Sequence, residues 1–194
     1  MRVLVACEFS GIVRTAFEKR GHDAWSCDLL PTEMPGQHYQ GYLEDFIGNG
    51  SEWDLIIGHP PCTHLAVSGA RYFAEKKKLG LQDEAIAFVM MIANRNCDKI
   101  AIENPVGILS TVWRKPDQII QPYQFGNPES KKTCLWLKEL PLLKPTNILE
   151  VPESGVWNNQ TKSGQNKLSP SPERAKLRSR TYQGIADAMA QQWG

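Results

Sequence analysis

The chain has 194 residues, 41% hydrophobic and 22% charged, enough for one domain with a full core and close to globular averages, which excludes global disorder. Its 22 basic and 21 acidic residues leave a net charge of +1, so no overall field points to nucleic acid or to a membrane surface. Five cysteines without paired spacing and without a CxxC argue against a disulfide framework or a structural zinc site, and fit a reducing cytoplasm.

Val3-Leu4-Val5-Ala6-Cys7 predicts a first strand, apolar on both faces as in the middle of a parallel sheet, reached without the layout of a signal peptide. Glu8-Phe9-Ser10-Gly11 turns the chain into a helix with apolar spacing from Ile12 to Arg20, ended by Gly21. Ala24-Trp25-Ser26-Cys27 reads as a second strand closed by Asp28. Strand, glycine turn, helix and acid-tipped strand make the front half of a nucleotide-binding unit. In such units the turn meets the cofactor and the acid meets ribose hydroxyls. Only Gly11 remains of the usual glycine cluster, and a polar turn beside a solvated Asp28 gives the same pattern.

Gly36 to Gly50 is expected as a loop holding one amphipathic piece, Leu43 to Ile47. Leu55-Ile56-Ile57 then reads as a buried strand running into Gly58-His59-Pro60-Pro61-Cys62-Thr63-His64. The prolines end the ladder, because neither has an N–H and each fixes its own φ. A thiol just past such a strand lies where open α/β sheets bind ligands, which separates Cys62 from Cys7, Cys27, Cys97 and Cys134, all expected as small buried hydrophobes. His59, Cys62 and His64 offer three metal ligands on one tight loop with no fourth, so no metal is expected.

Gln82 to Asn94 is expected as a largely buried helix; its apolar run, Ile86 to Ala93, falls far short of the ~20 residues of a membrane span. Lys99-Ile100-Ala101-Ile102 reads as a strand ending in Glu103-Asn104-Pro105. Ile119-Ile120 and Cys134 to Leu137 are short strands, the latter expected antiparallel at an edge. Residues 139–179 read as an irregular, proline-rich and basic insert. Its basic end, with Arg180, sets Lys162, Lys167, Arg174, Lys176, Arg178 and Arg180 against Glu173 alone, a cluster able to face phosphates. Tyr182 to Trp193 closes the chain as a helix. The whole predicts one α/β domain over 1–194, a mostly parallel sheet with helices on both faces.

In this order the pieces resemble the DNA cytosine-5 methyltransferases, and more closely the short phage and prophage members of that family. Phe9-Ser10-Gly11-Ile12-Val13 resembles the cofactor motif, Pro60-Pro61-Cys62 the nucleophile motif and Glu103-Asn104-Pro105-Val106 the Glu-Asn-Val motif. Glu129-Ser130-Lys131-Lys132-Thr133 resembles the basic motif, and Arg180 to Ala186 the last one. The resemblance covers most of residues 2–138 and 178–193. It departs at Val13, where a glycine is usual, at Thr63 for a glutamine, and at Lys131 and Thr133 for an arginine pair. The acid that reads the adenine amine falls near Tyr42 or Asp45. No large target-recognition domain fits between the basic motif and the last helix.

The resemblance implies a class I S-adenosylmethionine-dependent methyltransferase fold (Rossmann-like). It implies Cys62 as the catalytic nucleophile, with His59, His64 or Arg71 at hand to favour its thiolate, and Glu103 as the carboxylate that holds cytosine. Phe9, Ser10, Gly11, Asp28, Pro60, Thr181 and Tyr182 would bind S-adenosyl-L-methionine. Pro61, Asn104, Lys131 and Lys132 would face the substrate. The implied partner is DNA, single-stranded or bound without sequence preference, in a bacterial host cytoplasm. Two alternatives stand beside it: the same chemistry on RNA or a free nucleotide, and an inactive nucleic-acid-binding decoy of the same fold.

Overall fold

The computed structural model describes residues 1–47, 53–164, 166–169 and 171–194. Seven strands form a single sheet: β1 (Arg2–Ala6), β2 (Asp23–Asp28), β3 (His38–Gln40), β4 (Leu55–Gly58), β5 (Lys99–Pro105), β6 (Gln118–Ile120) and β7 (Thr133–Lys138). Their spatial order is β3-β2-β1-β4-β5-β7-β6. β3, β2, β1, β4 and β5 pair parallel, whereas β7 runs antiparallel to both β5 and β6.

Apolar runs buried on both faces place β1, β4 and β5 in the sheet centre. Val3, Val5, Leu55, Ile57, Ala101 and Leu135 point to one side, against α1 (Ile12–Glu18) and the C-terminal helix. Leu4, Ala6, Ile56, Ile100, Ile102 and Trp136 point to the other. There they meet α2 (Leu43–Ile47), α3 (Phe73–Lys78) being more distant, and α4 (Leu81–Ala93) and α5 (Leu109–Val112). Each fully buried Leu or Ile contributes about 1.5–3 kcal/mol, so this two-sided alternation accounts for the core. After β7 come α6 (Pro172–Ser179) and α7 (Gln183–Trp193), which buries Ile185, Ala186, Met189, Ala190 and Trp193 against α1 and the sheet.

Four expectations are corrected. The segment 36–50, expected as a loop with one helical piece, also holds β3, paired parallel with β2, and its residues 48–50 lie outside the described ones. β7 is antiparallel but not at the edge: β6 covers it, with Gln118, Ile119 and Ile120 beside Leu135, Cys134 and Thr133. Side chains lock that short strand, Asp117 Oδ2 accepting from the Leu137 N–H at 2.6 Å and Gln118 exchanging two bonds with Leu143 at 2.8 Å. α4 buries only Gln82, Val89 and Ile92, because its apolar girdle extends past the one face the sheet can cover. The insert is not irregular throughout. Ser171 caps α6, its hydroxyl accepting from the Arg174 N–H at 3.1 Å, and proline stands at the first turn where the missing donor costs nothing.

Two residues anchor the earlier part of the insert: Leu143 and Trp157 are buried, and Trp157 stacks on Tyr123 with centroids 4.7 Å apart. Among the described residues no helix is long and apolar enough to cross a membrane.

Within α1 the apolar spacing conceals a charge. Arg14 is fully buried, and its guanidinium bonds Ser26 Oγ and the carbonyls of Gln37, Met34 and Pro35 at 3.2, 3.3, 2.7 and 2.8 Å. Its Nε lies 3.5 Å from Glu18. This fan ties the loop between β2 and β3 to α1. Arg14→Met would keep the stem but strand those acceptors, so it is expected to destabilise the fold by about 2–4 kcal/mol. A urea melt with an unchanged midpoint would contradict this.

Candidate active site

Strand register gathers the candidate residues. Ala6 stands beside Cys27 and Gly58, and Gly58 beside Ile102, so the turns after β1, β2, β4 and β5 leave one edge. Thr133 pairs with Pro105, which brings the start of the reversed strand β7, with Lys131 before it, to that same edge. From β1 the chain winds outward through β2 and β3, then returns to β4 on the other side of β1. The turns Cys7–Gly11 and His59–Cys62 diverge at this switch, where open α/β sheets present a crevice.

The first turn is built around a carboxylate that the sequence reading did not assign. Glu8 is 4% exposed; its Oε1 accepts from the Val13 N–H at 2.7 Å and from Ser10 Oγ at 3.2 Å, and its Oε2 from the Arg14 N–H at 3.2 Å. The protein's own anion therefore fills the start of α1, and Val13 needs no glycine's close approach. Gly11 has a different reason to be glycine. Its φ is +71°, and a Cβ would lie 2.8 Å from Arg14 Nη2. Cys7 holds the left-handed region without being glycine, at φ +61°, bending the chain out of β1.

Asp28 ends β2 half-buried, Oδ1 accepting from the Leu30 N–H at 2.9 Å. Burial pushes its carboxyl above the ordinary range, against the pull of the Leu30 and Leu29 amides and His38. Tyr42, Glu44 and Asp45 are all exposed, and the Glu44 charge pushes the Cys7 and Cys27 thiols up.

The Cys62 loop is pinned to the chain after β5. Asn104 Nδ2 donates to the Pro60 carbonyl at 2.8 Å, Val67 N–H to Val106 at 3.0 Å and Ile108 N–H to Leu65 at 2.9 Å. Gly107 allows this approach, since a Cβ there would run into the Leu65 carbonyl. Pro60 is buried beneath the loop, while Pro61 and Cys62 are exposed at its crest. His59 does not serve the thiol: its Nδ1 meets Glu103 Oε2 at 3.3 Å. Arg71 lies over the Tyr72 ring, 4.6 Å from its centroid. The His64 carbonyl accepts from Gln82 Nε2 at 3.3 Å.

Beside Glu103 lies a recess bordered by Lys131, Thr133, Ser179, Thr181 and Tyr182. Burial pushes the Glu103 carboxyl up, but the His59 hydrogen bond, the Lys131 and His59 charges and Thr133 together outweigh it and hold the group below the carboxylate range. The Cys62 thiol is pushed up by the protein around it and by the Glu103 charge, and drawn part-way down by Lys131 and Arg178. Lys131 Nζ also donates to the Arg178 carbonyl at 2.9 Å, and Tyr182 gives its hydroxyl to Glu129 at 2.5 Å. Lys132 is exposed.

A second recess, bordered by Cys7, Phe9, Ser10, His59, Ser179 and Thr181, lies at the switch, so Ser179 and Thr181 border both. The basic stretch is partly committed inside the protein. Arg180 grips Glu33 through Nε and Nη2 at 2.9 and 2.7 Å, and Lys176 reaches Glu33 at 3.3 Å. Among the described residues no group of three His, Cys, Asp or Glu side chains gathers as metal ligands. No protein-family model matches the chain, and no curated protein matches it.

Cys27, Cys97 and Cys134 are buried and burial pushes their thiols up, Cys27 to about 12. Iodoacetamide on the native protein is therefore expected to label Cys62 first. Because that thiol is itself raised, the labelling rate should keep climbing with pH beyond the free-cysteine range of ~8.5. Peptide mapping that finds Cys97 or Cys134 labelled first would contradict this.

Proposed function

We propose that the protein is an S-adenosylmethionine-dependent cytosine-5 methyltransferase of class I (Rossmann-like) fold, acting on DNA. The observation that carries this reading is the meeting of Cys62 and Glu103 at adjoining strand ends, with Lys131 and Thr133 closing the third side. A mostly parallel sheet with one reversed strand between β5 and β6 fits the class I arrangement. The switch recess offers a cofactor polar anchors. It holds a buried polar nitrogen without a partner, His59 Nε2, and the half-buried Asp28 ends the neighbouring strand.

Phe9, Ser10, Gly11, Asp28, Pro60 and Thr181 would hold the cofactor, with Tyr182 behind Thr181. When bound, S-adenosylmethionine supplies an electrophilic methyl group. Glu103, held ionised, accepts from the exocyclic amine of cytosine and from N3–H once N3 has taken a proton from solvent, which makes carbon 6 electrophilic. Cys62 then adds to carbon 6, and the resulting enamine is nucleophilic at carbon 5. After transfer, loss of the carbon-5 proton to solvent water lets the C–H electrons expel Cys62 as its thiolate and restore the aromatic ring. The electrostatics give this a sequence. With no base present, the Glu103 anion raises the thiol. Shared with a proton on N3 that charge is neutralised, leaving Lys131 and Arg178 to favour the thiolate only when substrate is in place. Asn104 holds the loop rather than the base, and Pro61 stands exposed beside Cys62.

A second reading, transfer to RNA or a free nucleotide, is favoured by the insert. Asn159 ties it to the Ser130 backbone by two bonds at 2.9 and 3.1 Å, and its described residues form no separate reading module.

Radiolabelled methyl transfer to DNA, RNA and dCMP in parallel tests both readings, with DNA labelled most. Cys62→Ser should abolish transfer while cofactor binding persists. DNA containing 5-fluorocytosine should trap the wild type covalently on the Cys62 peptide, because fluorine cannot leave as a proton. An active Cys62→Ser, or an adduct on another cysteine, would overturn the mechanism. Cofactor binding without transfer to any substrate would favour the decoy.

A further inference from the structure

The imidazole of His59 stands between the two recesses. Its side chain is only 7% exposed, fixed by a backbone bond from the His59 N–H to the Ala6 carbonyl at 2.9 Å and by the buried Pro60 that follows. On one side Nδ1 meets Glu103 Oε2 at 3.3 Å. On the other, Nε2 is buried, has no hydrogen-bond partner, and belongs to the wall of the switch recess. A buried nitrogen left unpaired is destabilising, so its retention needs a reason. The neighbouring polar groups do not supply one. Ser10 Oγ is engaged with Glu8, and the Glu8 carboxylate is filled by Ser10, Val13 and Arg14.

We propose that His59 is a two-sided binding residue whose Nε2 hydrogen-bonds the cofactor while its Nδ1 orients Glu103, so that cofactor and base binding are coupled through one ring. The inference rests on the methyltransferase reading above. An ionised carboxylate only accepts, so Nδ1 carries the proton toward Glu103. Nε2 is left to bond a ligand, as acceptor from a hydroxyl or amine when the ring carries one proton and as donor to a hydroxyl or carboxylate oxygen when it carries two, and S-adenosylmethionine carries such groups on its ribose and methionine parts. The ring is rigid, so a bond at Nε2 sets the direction of Nδ1–H and with it the carboxylate that must meet N3 and the amine of cytosine. Coupling of this kind is reciprocal: each ligand tightens the other by the same factor.

Two near-isosteric variants separate the two sides. Asparagine places an amide nitrogen near Nδ1 and nothing at Nε2; glutamine reaches the Nε2 position and leaves Nδ1 empty. Calorimetry would measure S-adenosylmethionine binding to the full chain, with and without a single-stranded oligonucleotide containing cytosine. His59→Asn is expected to weaken cofactor binding about tenfold and spare oligonucleotide binding, and His59→Gln to do the reverse. In both, the factor by which oligonucleotide tightens cofactor should fall to about one. In the wild type, the nitrogen resonance of His59 Nε2 should shift when cofactor is added, a readout that needs no variant.

Equal losses on both ligands with a lowered melting temperature, or an Nε2 resonance unmoved by bound cofactor, would overturn the inference and leave the methyltransferase reading intact. A wild type that binds no S-adenosylmethionine would overturn both.

Discussion

The parallel pairing of β1 with β4 is the constraint on which the candidate site depends. These strands are far apart in sequence, and the register Val3 beside Leu55 through Ala6 beside Gly58 makes them end together. Their turns must then leave one edge in different directions, and the space between them is unavoidable. Everything nearby braces that divergence. The Glu8 N–H donates to Cys27 and the His59 N–H to Ala6, so each turn is held by the end of its neighbouring strand. Shifting β4 by a single residue would turn its side chains to the opposite faces and carry the Cys62 loop away from Glu103.

Around that edge the protein places charges of both signs at short range instead of one uniform field. Glu103 faces His59 and Lys131, while Arg178 adds a second cation near Cys62. Such a cluster is balanced at rest and becomes unbalanced when a ligand takes up one member's charge. A near-neutral chain can thus hold a strongly polar site, which its overall charge of +1 does not advertise. The same balancing occurs at Arg14, where carbonyl dipoles and the Glu18 carboxylate surround a buried cation.

Much of this was legible in the residue order. Runs such as Val3 to Ala6 and Leu55 to Ile57 must be buried on both faces, and the prolines after His59 end the β4 ladder, so the edge and the place of Cys62 on it follow from local rules; β5 instead runs on through Glu103 to Pro105, which pairs with Thr133. What escaped depends on partners distant in sequence. Periodicity reports burial, not neighbours, so nothing in Cys134 to Leu137 revealed that Gln118 to Ile120 would cover it. Glu8 and Arg14 looked like turn and helix polar residues, and only tertiary packing decides that both are buried, with partners drawn from the turn and from the β2–β3 loop. Arg14 did leave one trace: a charge on the apolar face of a short helix requires a buried partner. The Ser171-Pro172 start of α6 was a local signal, obscured by the prolines and glycines before it.

The grip of Arg180 and Lys176 on Glu33 has a consequence for what lies over the first turn. These two cations flank the end of α6, and the Lys176 ammonium sits 5.4 Å from the centre of the Phe9 ring. All three charged side chains are partly in water, at 27%, 37% and 41% exposure, so the grip is of the kind that dissolved ions screen. Glu33 is held below the ordinary carboxylate range by its Arg180 hydrogen bonds. Its contribution is therefore present above that range and lost as pH falls through its lowered value. The sheet beneath, closed by apolar contacts, responds to neither. Brine and acid thus act on the cover of the crevice before they act on its floor.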